Sequence, residues 1–272
     1  MYAKDFEYDG QSLSDYNCIV CDFDGSPGTK TVSAGSSITF NKIQRNSGKL
    51  HTLASVSYNE CMTATFDICK DPDSLLTDDT FLTSDECRDL MRWLNRREFH
   101  KFRVLYDDED IETFYFNASF NIEKITIGEK VCGLRLTMES DRPYAYGETQ
   151  KFTITATRTT LAKSHLIKDV SDDIGDIYPT VKIVCNAAGT LEITNTTMGI
   201  TTHIQGCVAG EEIIIDGENL IITTSENRNI WDSFNYVFPQ LTNSLSNRVN
   251  SFVVSLPSTI EISYDPIIKE TF

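Results

Sequence analysis

Between Phe81 and Tyr144 the spacing of apolar residues switches once, from about 3.6 to 2, and nothing else in the chain constrains its fold as tightly. Cys87, Leu90, Met91 and Leu94 fall at i, i+3, i+4 and i+7, one stripe of a helix placed at about 84–97. Thr83 and Glu86 have the spacing of a capping box, where a hydroxyl and a carboxylate satisfy free amide donors at the helix start. The alternation then begins with Phe102, Val104 and Tyr106, followed by an acidic turn at Asp107-Asp108-Glu109-Asp110. Phe114, Phe116, Ala118, Phe120 and Ile122 share one face of the next strand. Past Gly128, Cys132, Leu134, Leu136 and Met138 repeat the pattern until Arg142-Pro143 ends it, because proline cannot donate to a ladder. A helix laid on an antiparallel sheet follows from this order.

The rest of the chain reads as strands. Phe6 and Tyr8 precede the tight-turn pair Asp9-Gly10. Tyr16, Cys18 and Val20 alternate, as do Ile38 with Phe40, and Met62, Ala64, Phe66 and Ile68. Beyond Pro143 the helical pattern vanishes, and short strands are expected at 152–157, 181–185, 191–194, 211–215, 220–224, 252–256 and 260–264. Asp216-Gly217 between two apolar runs marks a hairpin turn. The expected fold class is mainly β. An N-terminal α+β domain, a β-sandwich or hairpin unit with one helix, spans 1–147, and an all-β sandwich or jelly roll spans 148–272. The final strand has the alternative of returning to the first domain.

Composition narrows the function. The chain has 24 basic and 40 acidic residues, a net charge of −16, which argues against a sequence-specific nucleic-acid binder with its broad basic field. No apolar run approaches the roughly 20 residues a membrane-crossing helix needs. The start, MYAKDFEYDG, lacks the charged-then-apolar pattern of a secretory signal, so eight cysteines are expected to stay reduced in a cytoplasm. Cys61, Cys69, Cys87, Cys132 and Cys185 read as small core residues.

Few motifs in the chain could carry chemistry. Asp22-x-Asp24-Gly25 after an apolar strand resembles the first motif of haloacid-dehalogenase-like phosphatases, where the first aspartate attacks phosphorus beside magnesium. Ser26-Pro27 departs from that motif, and one helix cannot build the alternating βα units the family needs, so a solvated turn is the better reading. A calcium loop at the same place lacks its glutamate, since position 31 is Thr31. Cys18-x-x-Cys21 has no second pair at zinc spacing, and His51, His100, His165 and His203 are scattered. Asp107-Asp108 and Asp172-Asp173 sit in polar loops. The expectation is no enzyme, no metal and no cofactor.

Arg88, Arg92, Arg96, Arg97, Lys101 and Arg103 bring six of the 24 basic residues into one short stretch of an acidic chain. An exposed helix face explains this; so does a subunit contact at Arg88, Arg92 and Arg96 against an acidic neighbour. Trp93 and Trp231 read as core residues rather than interface anchors.

Trp93-Leu94-x-Arg96-x-x-x-His100-Lys101-Phe102, Tyr115-Phe116-Asn117-Ala118, Gly133-Leu134-x-Leu136-Thr137-x-Glu139 and Asp141-Arg142-Pro143-Tyr144-Ala145 together resemble the phage distal tail protein (Dit) family. Phe6-x-Tyr8-Asp9-Gly10-Gln11-Ser12 and the 48–58 segment are similar too, and the C-terminal half is a looser match through Phe238-Pro239-x-Leu241 and Tyr264-Asp265-Pro266. The resemblance implies a structural virion protein, assembled in the bacterial host cytoplasm. It implies a homo-hexameric hub joining the tail tube protein to tail-tip, receptor-binding or baseplate proteins, with a galectin-like C-terminal sandwich. The alternative is a carbohydrate-binding sandwich that stacks sugar on Trp231, Phe234 or Tyr236.

Overall fold

A computed structural model describes residues 5–23, 38–44, 51–58, 60–73, 80–105, 113–161, 163–244 and 246–269. Asp24, Gly25 and the acidic turn 107–110 lie outside the described residues. The chain divides into two units, Met1–Tyr146 with Ile268–Phe272, and Gly147–Ile267.

In the first unit local turn chemistry sets the register. Asp9 (φ 51°) and Gly10 (φ 74°) both take the left-handed conformation that suits a two-residue hairpin loop, pairing Tyr8 with Gln11. Gly128 (φ 63°) turns the long hairpin of Phe116–Ile127 and Lys130–Ser140, in which Phe120 faces Met138. Seven antiparallel strands line up in the order Gln11–Ser12, Asp5–Tyr8, His100–Leu105, Phe116–Ile127, Lys130–Ser140, Thr63–Lys70, Cys18–Cys21. Gly133 is required there, since a Cβ would come within 2.5 Å of the Ile68 carbonyl and the Phe23 ring.

The helix, Ser84–Leu94, closes one face of this core. Its capping box forms as expected: the Thr83 amide donates to the Glu86 carboxylate (2.7 Å) and the Glu86 amide to the Thr83 hydroxyl (3.3 Å). The expected end at 97 is corrected to Leu94. Asn95 donates its side-chain amide to the Phe120 carbonyl (2.7 Å), tying the chain to the sheet, and Arg96 already lies beyond the helix. Cys87, Leu90 and Leu94 are buried as the stripe requires, and Trp93 joins them. The Trp93 indole stacks on Tyr16 (4.5 Å) and Phe6 (5.6 Å) and donates to the Tyr8 carbonyl (3.0 Å). Phe6, Tyr8, Phe66, Phe102 and Phe120 extend this aromatic core in mostly edge-to-face contacts. Cys61, expected inside, is exposed.

Among the described residues of the first unit, one long hairpin stands apart from the seven-stranded sheet. Ile38–Gln44 pairs only with His51–Tyr58, as a two-stranded ribbon. Its register places Ile38 against Tyr58 and Phe40 against Val56 on one face, and Thr39 against Ser57 and Asn41 against Ser55 on the other.

The second unit is a sandwich. A five-stranded sheet runs in the order Gln150–Ala156, Ser258–Tyr264, Thr180–Cys185, Glu212–Asp216, Ile221–Thr224. A four-stranded sheet runs His165–Lys168, Val249–Val254, Gly189–Asn195, Ile200–Cys207. Branched aliphatics from both fill the space between, among them Ile154, Val181, Ile183, Ile213, Ile260, Ile193, Ile204 and Val254. Ile200–Cys207 was not legible as a strand because its inward residues include Thr202, a buried threonine that breaks the apolar alternation. Buried Asn195 and Asn250 are satisfied within the unit: the Asn195 amide donates to the Asn250 side-chain oxygen (2.9 Å) and the Asn250 amide to the Thr242 carbonyl (3.0 Å).

Candidate functional site

Three surfaces carry the functional question, two on the first unit and one on the second. On the helix, Arg88 and Arg92 stand on the solvent side with Asp85 and Asp89, so that face alternates in charge. Arg92 pairs with Asp89 (3.1 Å). Arg96 reaches Asp9 (3.3 Å), while its Nε donates to the Trp93 carbonyl (3.1 Å), serving a free acceptor at the helix end. Arg88 makes no ion pair among the described residues. The cluster is thus less uniformly basic than the sequence suggests.

The ribbon is a different surface. Ile38, Phe40 and Val56 are 45%, 56% and 51% exposed, side by side on one face. Asn41 donates to Ser55 (2.9 Å) across the polar face. An isolated hairpin is at best marginal in water, so an apolar face left open on one calls for a cover. Sequence reasoning saw only its first strand. The signal was present in the matching alternation of Val56 and Tyr58 with Ser55 and Ser57.

On the second unit the candidate sugar-stacking residues part company. Phe234 and Phe238 are buried, while Trp231 is half-buried and Tyr236 is 66% exposed. Tyr236 stacks on Trp231 (5.6 Å, 29°) with φ at 60°, a conformation costing a tyrosine about 1–2 kcal/mol. Neighbouring groups hold it there. The Asn235 side-chain oxygen accepts from the His203 and Val237 amides (3.0 and 3.2 Å), and its amide donates to the Thr201 carbonyl (2.9 Å). Before it, Arg228 donates to Glu211 through Nε (3.0 Å) and Nη2 (2.8 Å), and through Nη1 to the Gln205 carbonyl (2.9 Å) and Ser233 hydroxyl (3.1 Å). Glu211 is buried, and burial works to raise its pKa. Hydrogen bonds from Thr224, Arg228 and Val208 outweigh that and hold the carboxyl below its ordinary value.

The residues suspected of chemistry do not converge. Asp22 is exposed at the end of an edge strand, and the sheet it leaves is antiparallel throughout, unlike the parallel sheet of a phosphatase of that kind. Cys18 faces the core, where burial pushes its thiol up to about 12, while Cys21 is only half-buried. His100 lies beside Asp9 (3.4 Å), far along the sequence from His165 and His203 on the other unit. Asp172 is exposed and Asp173 half-buried in a loop. Among the described residues the close trio of potential metal ligands is Cys185, Cys207 and Glu211, whose ligand atoms lie within 4.8 Å of one another. It does not suit a divalent cation, because the Arg228 guanidinium already grips that carboxylate and leaves only two thiols to hold an ion.

Residues 1–142 match the family model of a phage tail protein N-terminal domain, and residues 144–264 that of a phage tail C-terminal domain. The chain belongs to this family of phage tail proteins. No curated protein matches this tail protein. Its fold is similar to the crystal structure of the SPP1 Dit protein, described as a paradigm of the hub adsorption apparatus in phages infecting Gram-positive hosts. The TM-score is 0.67, with 17% identity, over 97% of this chain and 99% of that one. The sequence resemblance to distal tail proteins and the mainly β fold class both agree with these findings. In the tail protein the residues of that resemblance build the first unit's core: Trp93, Leu94, Phe102, Phe116 and Leu134 are all buried.

Proposed function

We propose that this tail protein assembles with copies of itself into a hexameric ring at the distal end of the tail tube. There it serves as the hub that joins the tube protein to tail-tip, receptor-binding or baseplate proteins, as part of the virion after assembly in the host cytoplasm. Membership of the tail family and a fold shared end to end with a hub protein support the reading. The observation that carries the self-assembly is the ribbon face on which Ile38, Phe40 and Val56 lie exposed side by side. A second copy is the occupant that a ring supplies. In this scheme the first unit forms the ring and the helix face at Arg88, Arg92 and Arg96 adds a lesser contact. Native mass spectrometry of the purified chain is expected to show six copies. A protein that stays monomeric at high concentration would sink the proposal. Replacing the three arginines by alanine tests the helix contact separately, and unchanged assembly would reduce that face to a core-covering role.

A second reading is favoured by Tyr236 alone: an exposed aromatic, stacked on Trp231 and held at a strained φ, is the form that a sugar-stacking platform takes. The second unit would then bind glycan at the host surface. A glycan array gives signal lost in Tyr236→Ala if so; an array without signal discards it. No catalytic step enters either reading.

A further inference from the structure

The two sheets of the second unit meet at a pair of thiols. Cys185 ends the Thr180–Cys185 strand of one sheet, and Cys207 ends the Ile200–Cys207 strand of the other. Both are buried, with their Sγ atoms within 4.8 Å. The backbone laces them together: the Cys185 amide donates to the Glu211 carbonyl (2.9 Å), and the Gly210 amide to the Cys185 carbonyl (2.7 Å). Since Arg228 makes this a poor cation site, the chemistry left to the pair is oxidation of the thiols themselves.

We propose that Cys185 and Cys207 are a latent disulfide, which closes across the sandwich in oxidising surroundings and locks its two sheets together. Closing the bond brings two sulfurs that start within 4.8 Å to the roughly 2.05 Å of a disulfide. With oxidised glutathione as the oxidant, the Cys207 thiolate attacks one of its sulfurs, breaking that S–S bond and releasing one glutathione thiolate. The Cys185 thiolate then attacks Cys207 Sγ, breaks the mixed disulfide and releases the second glutathione. The cysteine pair loses two electrons and glutathione disulfide gains them; the two protons lost from the cysteines end on the two glutathiones. The neighbouring Cys207 sulfur, with burial, pushes the Cys185 thiol up, and the Cys207 Sγ–H donates to the Ile204 carbonyl (3.6 Å); the same products form whichever thiolate attacks first. Because both thiols are buried, closure proceeds through local opening of the sandwich end. The benefit to a particle leaving a reducing cell rests on the tail reading; the bond formation does not.

The test uses the full chain, purified reduced, incubated with oxidised glutathione, then denatured and alkylated. Cleavage after glutamate separates the two cysteines at Glu192. A linked Cys185–Cys207 peptide is expected, with the thermal midpoint of the second unit raised by about 5 °C and both changes reversed by reductant. Cys207→Ser is expected to lose the linkage and the rise together. Recovery of both cysteines alkylated, even after oxidation through a cycle of partial unfolding, would overturn the proposal, as would a linked peptide with no rise in midpoint. Should Cys207→Ser fail to fold, the wild-type peptide map still decides.

Discussion

The two units of this tail protein both contain a buried acid gripped by an arginine, and the two arginines differ in how far water reaches them. In the first, Asp67 faces Arg135 across two neighbouring strands, bound at 2.8 and 3.0 Å, and the arginine side chain remains 37% exposed. In the second, fully buried Glu211 is held by Arg228, only 22% exposed, which also reaches Gln205 and Ser233. The first pair ornaments a register that apolar contacts already fix. The second positions the chain leading to Trp231 and Tyr236. The surfaces differ in arrangement: the first unit aligns Ile38, Phe40 and Val56 on one ribbon face, while the second holds one loop through Glu211, Arg228 and Asn235.

The sharpest break is expected at Trp93→Ala. Loss of the indole from the aromatic core, with its bond to Tyr8, should destabilise the first unit by about 3–5 kcal/mol in denaturant unfolding. A loss under 1 kcal/mol would mean the helix is not seated as described. Arg228→Ala should follow at about 3 kcal/mol in the second unit, because it strands a buried carboxylate. Arg135→Ala also leaves a buried carboxylate, Asp67, but beside a 37% exposed arginine site that water can enter, and should cost less, about 2 kcal/mol. Equal costs for the two arginines would erase the contrast drawn between the pairs.

Acid sharpens the same comparison. Glu211 has a depressed pKa, so its contribution is complete above the ordinary carboxylate range and is lost as pH falls through the folded-state value. Stability of the second unit measured from pH 7 downward should therefore drop, and Arg228→Ala should flatten that drop. A parallel pH profile for the variant would contradict the assignment. The smallest effects on folding lie at the open surfaces. Phe40→Ser with Val56→Ser should leave monomer stability within about 0.5 kcal/mol yet abolish assembly by native mass spectrometry. Tyr236→Gly should raise stability by about 1 kcal/mol, since glycine accepts the positive φ, and a loss instead would show Tyr236 to be packing rather than platform.

The amino-acid order alone determined the one helix and its cap, the turns at Asp9-Gly10 and Gly128, and the long hairpin. Each rests on contacts a few residues apart or on strict alternation, so each is written locally. Its reading of the helix end failed at Asn95, whose partner, the Phe120 carbonyl, lies on a strand the helix meets only after folding. The same holds for Thr202, polar by type yet buried by its sheet. Tertiary structure alone decided that Arg96 meets Asp9, that Phe234 is buried while Tyr236 is presented, and that Cys185 and Cys207 meet. Burial, charge pairing and thiol proximity are set by what lies across the fold, and no spacing along the chain records that distance.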